Sequence, residues 1–196
     1  MNLYSDGKRW DERYTKDGPE SFGTGPSTWL AAHEDLLLNQ SKGKALDVAC
    51  GNGRNSFVLA ELGFDVDAVD ISKVVIEWLE GEVAKSESLV RPRCDNIVDY
   101  DLPRETYQVI ISFNFLERSI FSKLTEALSL GGLLVFETMT EDHIDVLGKK
   151  FNRKYVLRKD ELRHSFPDLE ILSYREEIVS EGTREAAVAS LVARKT

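Results

Sequence analysis

The alternation of hydrophobic and polar positions changes rhythm repeatedly along the chain, and those changes mark its elements. Residues 45–50 (ALDVAC) form a nearly continuous apolar run holding one acid, the pattern of a central strand in a parallel sheet. Residues 64–69, 89–94, 107–113 and 133–136 read as further strands, with YQVIISF at 107–113 strongly apolar. Between them the spacing turns helical. Residues 54–62 read as a short buried helix stopped by Gly63. Ser72 caps a helix carrying Val75, Trp78, Leu79 and Val83. Residues 119–130 turn Ile120, Leu124, Ala127 and Leu128 inward and are ended by Gly131 and Gly132. Upstream, 26–38 (PSTWLAAHEDLLL) reads as one helix with Ser27 or Thr28 near its cap, and His33 within it reads as structural.

Strands alternating with helices imply right-handed βαβ units and a parallel sheet covered on both faces. The two last strand-like runs, 169–179 and 186–193, break that rhythm. The link between them, SEGTRE, is too short to carry a helix, so they must pair as an antiparallel hairpin. The fold class predicted is α/β, a single Rossmann-like doubly wound sheet, mostly parallel, with a C-terminal antiparallel hairpin. No second-domain linker or repeat interrupts it, and 196 residues suffice for one domain with its own core. Within that domain, 44–136 reads as the core, 137–160 as an insertion without clear periodicity, and 168–195 as the hairpin. Residues 1–40 read as an N-terminal arm and helix. The polar lead-in carries Trp10, Tyr14 and Phe22, with Trp29 just beyond; these are too many large rings for a solvated tail. They dock on the core or close over a ligand as a lid.

Composition narrows the classes. A net charge of −9 argues against a general nucleic-acid binder, which would display a basic face, so no nucleic acid is expected as partner. No apolar run approaches the length of a membrane span and the N-terminus is polar, so no membrane association is expected. Cys50 and Cys94, both in apolar strand-like contexts, read as buried thiols in a reducing compartment, and the protein as cytoplasmic. No metal site is assigned.

The chemistry concentrates in residues 44–72. In an open α/β sheet, ligands bind beyond the carboxyl ends of the strands. Gly51 and Gly53 let the chain turn tightly and a ligand approach without a Cβ in the way. Asp70 ends the second strand, 17 residues after Gly53, where a carboxylate can accept both hydrogens of a ribose diol. Asp95 and Asn96 end the third strand, where they can read an adenine amino group. Phe113, Asn114 and Phe115 end the fourth. A dinucleotide fingerprint would carry a third glycine where Ser56 stands, and no P-loop is present. Other roles stay open: Asp47 as a structural acid, Asp70 as a helix cap, Asp95 and Asn96 as turn residues, Cys50 as core.

LDVACGNGRNSFVLAELGFDVDAVDIS resembles motif I and the following acidic strand end of class I S-adenosylmethionine-dependent methyltransferases. The GNGRN run, the lead-in WDERY, GGLLVFETMT and LRKDELRHSFPDLEILSYREE are similar to the small tellurite-resistance-type branch, and together cover roughly residues 8–195. The resemblance implies the seven-stranded architecture of that class and S-adenosyl-L-methionine as cofactor. It implies that Asp47, Ala49, Cys50, Gly51, Gly53, Arg54 and Asn55 surround the methionine end, with Arg54 near its carboxylate. Asp70 and Ile71 would hold the ribose and adenine face, Asp95, Asn96 and Ile97 the adenine, and Phe113, Asn114 and Phe115 the approach to the sulfonium. Residues 114–118 (NFLER) lack the proline-containing signature of amino-methyltransferases acting on DNA or glutamine.

The function expected is methyl transfer to a small-molecule acceptor, such as a thiol or a chalcogen oxyanion like tellurite, by a monomer or homodimer. A protein or RNA methyltransferase and a non-catalytic S-adenosylmethionine-binding module are the alternatives. No residue stands out as a general base; His143 and His164 read as surface or packing residues and Met139 as core. On the substrate side the candidates are Trp10, Tyr14, Phe22, Thr138, Arg153 and Tyr155. Lys149, Lys150, Arg153 and Lys154 form a basic cluster that is either solvated or anion-binding.

Overall fold

The computed structural model describes residues 3–181 and 184–196. Seven strands form one sheet: β1 (Lys44–Val48), β2 (Asp65–Asp70), β3 (Val90–Cys94), β4 (Tyr107–Phe113), β5 (Leu128–Met139), β6 (Leu169–Glu181) and β7 (Arg184–Lys195). Their order across the sheet is β3-β2-β1-β4-β5-β7-β6. The pairs from β3 to β5 are parallel, and β7 runs antiparallel to both its neighbours. The C-terminal hairpin is therefore present, with its reversed strand inserted between β5 and β6 and not at the edge. Its link includes residues 182 and 183, which lie outside the described residues.

The helices α4 (Arg54–Glu61), α5 (Lys73–Val83) and α6 (Phe121–Ala127) cover the sheet. One core cluster gathers Leu46, Val48, Ile110, Leu124, Phe136 and Leu191; the other gathers Leu30, Leu59, Ala68, Leu79, Ile111 and Val135. Neighbouring residues of one strand thus feed opposite cores, which is why the central strands read as continuous apolar runs. No helix among the described residues is long and apolar enough to cross a membrane.

Four expectations change. The lead-in is not an irregular arm over its described residues: α1 (Leu3–Asp17) is a helix of 15 residues. Most of its side chains are polar, so no apolar run marks it, and it is held from outside, where Asp11 Oδ1 accepts from Ser72 Oγ (2.7 Å) and Val74 N–H (3.2 Å) at the start of α5. The single helix at 26–38 is two, α2 (Thr28–Ala31) and α3 (Glu34–Leu38). His33 breaks it with φ −117° and ψ 21° and sets its Nδ1 2.8 Å from the Trp29 carbonyl oxygen. Helix α6 ends at Ala127, before Gly131 and Gly132, because Leu128 turns extended and pairs with Tyr107. These glycines shape the entry of β5: Gly131 has φ +77°, and a Cβ on Gly132 would meet Ser129 O at 2.8 Å. Cys94 is exposed, whereas Cys50 is buried. It ends β3, the edge strand, whose sequence VRPRC has polar side chains turned to water and a proline that only an edge accommodates.

Gly53 illustrates how tightly the motif packs. It caps α4 in the left-handed region, φ 73°, and a Cβ there would lie 2.6 Å from Leu79 Cδ1 in the core. Gly53→Ala is expected to lower the melting temperature by roughly 3–10 °C, through overpacking and backbone strain, as read by thermal unfolding.

Candidate functional site

The carboxyl ends of β1, β2, β4 and β5 open into a cavity of about 870 Å3. Its rim is made of strained backbone. Ala49 and Asn114 leave β1 and β4 in the left-handed region, with φ of 55° and 57°, a conformation that costs energy for residues other than glycine and collects at functional sites. Gly51 shares it at 56°, and a Cβ there would come within 3.0 Å of Tyr14 Oη.

Two buried carboxyl groups form the floor. Asp70 Oδ2 accepts from Gly51 N–H (3.0 Å) and Oδ1 from Ser72 N–H (2.9 Å). Asp70 therefore shapes the glycine turn and caps α5 together. Asp47 Oδ2 accepts from Ser56 Oγ at 2.6 Å. Ser56, standing where a dinucleotide site has glycine, is thus the group that orients this acid. Burial pushes Asp47 up to about 7, with the Asp70 charge adding to the rise and the Ser56 bond opposing it. Burial also raises Asp70, against the pull of the backbone N–H groups of Ser72 and Gly51. Burial, then Asp70 and Asp47, hold the Cys50 thiol well above its ordinary value, so it is no nucleophile. Among the described residues, no ion pair reaches either acid. Such a floor suits a ligand that brings positive charge and hydroxyl donors, and disfavours a diphosphate.

Ala49, Cys50, Arg54 and Asn55 line the same cavity, as do Ile71, Asp95, Asn96 and Ile97 on one side and Phe113, Asn114 and Phe115 on another. Several of them also carry structural bonds. The Arg54 guanidinium donates to Gly25 O (2.9 Å) and Ser27 Oγ (3.2 Å), and Asn55 exchanges bonds with Ser27. Asn52 Nδ2 donates to Gly23 O at 2.9 Å. The motif's polar side chains thereby anchor the loop at 23–27 beside the cavity. Asp95 accepts from Asn96 N–H (2.7 Å), and Asn96 Oδ1 from Val98 N–H (3.2 Å), so these two residues build a turn as well as border the cavity.

Over this floor sits a cluster of aromatic rings. Trp10, Tyr14 and Phe22 line the cavity, with each pair of ring centroids 6.0 Å apart. Arg13 lies 4.7 Å from the Phe22 centroid, and Arg9 lies 5.6 Å from that of Tyr155, which joins α1 to the insertion across the mouth.

Three proposed site residues are not on the cavity wall. Gly53 turns toward Leu79 as described above. Thr138 is buried on the opposite face of β5 from Glu137 and Met139, which do line the cavity. Arg153 is exposed and paired with Asp145. Reading the sequence missed Asp6, Arg9, Arg13, Glu117 and Glu137, together with Phe151, Val179, Glu185, Ala186 and Val188 of the far wall. Only the number of large aromatic residues in the lead-in signalled that this segment would reach the cavity; most of the far wall depends on strand pairing. Lys149 and Lys150 line the cavity, while Lys154 lies 5.4 Å from the centroid of Tyr155 outside it. His143 and Met139 line it too, and burial lowers the His143 imidazole below its ordinary value. His164 is exposed, its Nδ1 2.9 Å from Asp160 O.

Comparison with known proteins fits this geometry. The family model described as "Tellurite resistance protein TehB" matches residues 32–187. A Haemophilus influenzae protein named "Probable S-adenosyl-L-methionine-dependent methyltransferase TehB" is 30% identical over 141 residues, spanning 68% of this chain and 48% of that protein. The chain thus spans about half the length of this relative. The crystal structure of TehB from Haemophilus influenzae superposes with a TM-score of 0.71 at 23% identity, over 86% of this chain and 61% of that one. A structure described in the "Conversion of a Disulfide Bond into a Thioacetal Group during Echinomycin Biosynthesis" reaches a TM-score of 0.74 at 18% identity, over 96% of this chain and 91% of that one. At such identities the solved structures show the seven-stranded fold.

Proposed function

The chain belongs to the tellurite resistance protein TehB family, and from that premise we propose that it is an S-adenosyl-L-methionine-dependent methyltransferase acting on a small-molecule acceptor. The observation that carries this reading is the floor of two buried carboxyl groups, Asp47 and Asp70, set beside a glycine turn. S-adenosylmethionine brings an ammonium, a sulfonium and a ribose diol, all of which suit that floor. Asp70 holds the ribose hydroxyls, while Asp47 and the turn at Ala49, Cys50 and Gly51 hold the methionine end. Arg54 lies toward its carboxylate. Ile71, Asp95, Asn96 and Ile97 receive the adenine, and Phe113, Asn114 and Phe115 border the reacting end.

The bound cofactor supplies an electrophilic methyl group on a positively charged sulfur. The chain's own work is then to align, enclose and dehydrate. Trp10, Tyr14 and Phe22 on the lid exclude water, and alignment of the reactants supplies about 7–11 kcal/mol of the barrier. A thiolate or a chalcogen oxyanion such as tellurite needs no general base. Lys149 and Lys150, which line the wall and have no ion-pair partner among the described residues, support an anionic acceptor. A protein or RNA acceptor is the lesser reading, since helix α1 roofs the cavity and its opening is bridged by Arg9 and Tyr155.

Calorimetry with S-adenosylmethionine, followed by a methyl-transfer screen over thiols, tellurite, selenite and small amines, tests the assignment. Binding and transfer to at least one probe are expected. Absence of cofactor binding would remove every methyltransferase reading, and binding without transfer would favour a non-catalytic module.

A further inference from the structure

We propose that Glu137 is the residue that selects the methyl acceptor, by accepting a hydrogen bond from an O–H or N–H that the acceptor presents beside the methylated atom. The inference rests on the methyltransferase reading above and adds the chemical class of acceptor.

Glu137 lies near the carboxyl end of β5, paired with Phe113 of β4 on one side and Ser190 of β7 on the other. It lines the cavity, yet its side chain is only 13% exposed. A carboxylate so placed needs partners, and it has two. Ser190 Oγ donates to Oε2 at 2.6 Å, and Arg175 Nη2 donates to the same oxygen at 3.0 Å. Arg175 in turn donates from Nε to Ser190 Oγ (3.1 Å) and packs 4.6 Å from the Trp29 ring centroid. Both bonds end on Oε2. Among the described residues no donor reaches Oε1, and that oxygen is not sealed in the interior. The cavity is therefore offered one fixed acceptor on a side chain that cannot rotate without breaking the Arg175 and Ser190 bonds.

Strand order says which ligand meets it. Across the sheet, Asp70 ends β2, Asp47 lies in β1, Phe113 ends β4 and Glu137 follows on β5. Adjacent strands are about 4.8 Å apart, so Glu137 stands two strands beyond Asp47, roughly 10 Å away along the sheet edge. The ribose and methionine ends belong over β2 and β1. What lies over β5 is the acceptor. A fixed carboxylate oxygen there favours molecules that donate a hydrogen bond and penalises those that only accept.

The same pairing makes Glu137→Gln a directed change. Arg175 and Ser190 both donate, so the amide oxygen must take the place of Oε2 and the NH2 must face the cavity. The variant thus replaces the acceptor at this point with a donor while the bonds beneath persist. Two probe pairs in which methylation removes the donor read the effect: 2-mercaptoethanol against 2-methoxyethanethiol, and methylammonium against tetramethylammonium. Each is titrated calorimetrically into protein saturated with S-adenosylhomocysteine. The wild type is expected to bind the donor-bearing member of at least one pair about tenfold or more tighter, as for a hydrogen bond to a charged group. In Glu137→Gln that preference should collapse while S-adenosylhomocysteine affinity stays within about twofold. Equal binding of both members by the wild type, binding of none of the four, or a preference that survives in the variant would overturn the proposal. The wild-type contrast stands even if the variant fails to fold. Failure of the methyltransferase reading would show earlier and differently, as no S-adenosylhomocysteine binding by the wild type.

Discussion

Asp70→Ala is expected to weaken S-adenosylmethionine binding by about 100-fold or more in a protein that still folds. Its carboxylate already accepts from the Gly51 and Ser72 N–H groups, and two further bonds from a ribose diol to a charged acceptor are worth roughly 3–6 kcal/mol together. The substitution also leaves those two backbone donors without their partner, so a fall in melting temperature accompanies it. The two roles separate on the folded fraction. If Asp70 were only the cap of α5, the folded variant would bind the cofactor as the wild type does. Calorimetry below the variant's melting temperature decides the matter, and unchanged affinity there would sink the cofactor assignment. Asp70→Asn sharpens it, because an amide cannot accept from Gly51 and Ser72 at both positions at once.

The second large effect concerns pH. Burial holds Asp47 at about 7 in the folded protein, whereas in the unfolded chain it ionises near the ordinary aspartate value. Between those values the folded state binds the extra proton. The contribution of Asp47 to stability is therefore most favourable below about pH 4 and declines as pH rises to about 7. Above that the full cost, on the order of 4 kcal/mol, remains. A cofactor bearing an ammonium favours the ionised form, so binding should release a proton below about pH 7 and tighten as the pH rises toward it. Asp47→Asn removes the titrating group. Compared with the wild type, the variant without ligand should be stabilised at pH 8 relative to pH 5 and should lose the proton release, while binding S-adenosylmethionine less tightly. Thermal unfolding at both pH values, with calorimetry in buffers of different ionisation enthalpy, measures this. An identical pH dependence in the two proteins would show that Asp47 does not titrate in this range.

Much of the architecture was legible because its causes are local. The central strands β1, β2 and β4 are read from apolar runs that serve two cores. The hairpin of β6 and β7 follows from the short link alone. Helix α1 was not legible: its turns are polar, and what holds it is Asp11 at the start of α5, 61 residues along the chain. The early end of α6 was likewise set elsewhere in the fold, by the pairing of Leu128 with Tyr107, whereas His33 breaks its helix against Trp29 one turn before it. In the cavity, the residues that follow strand ends in the motif are on the wall, except Gly53, which packs toward Leu79. Thr138 and Arg153 were not, since a strand's two faces cannot be told apart without its register, and a basic run does not say which member finds an acid.

What the sequence by itself determined is the order of the strands and of the helices between them, the glycine turn between β1 and α4, and the acids at the ends of β2 and β3, Asp70 and Asp95. These depend on side-chain period and on backbone freedom at single residues. Only the tertiary structure decided that Ser56 orients Asp47, that Asp70 serves turn and helix together, and that Arg175, Ser190 and Trp29 fix Glu137 at the far end of the cavity. Each of those depends on distance and direction between residues far apart in the chain, which exist only once the sheet has closed its register.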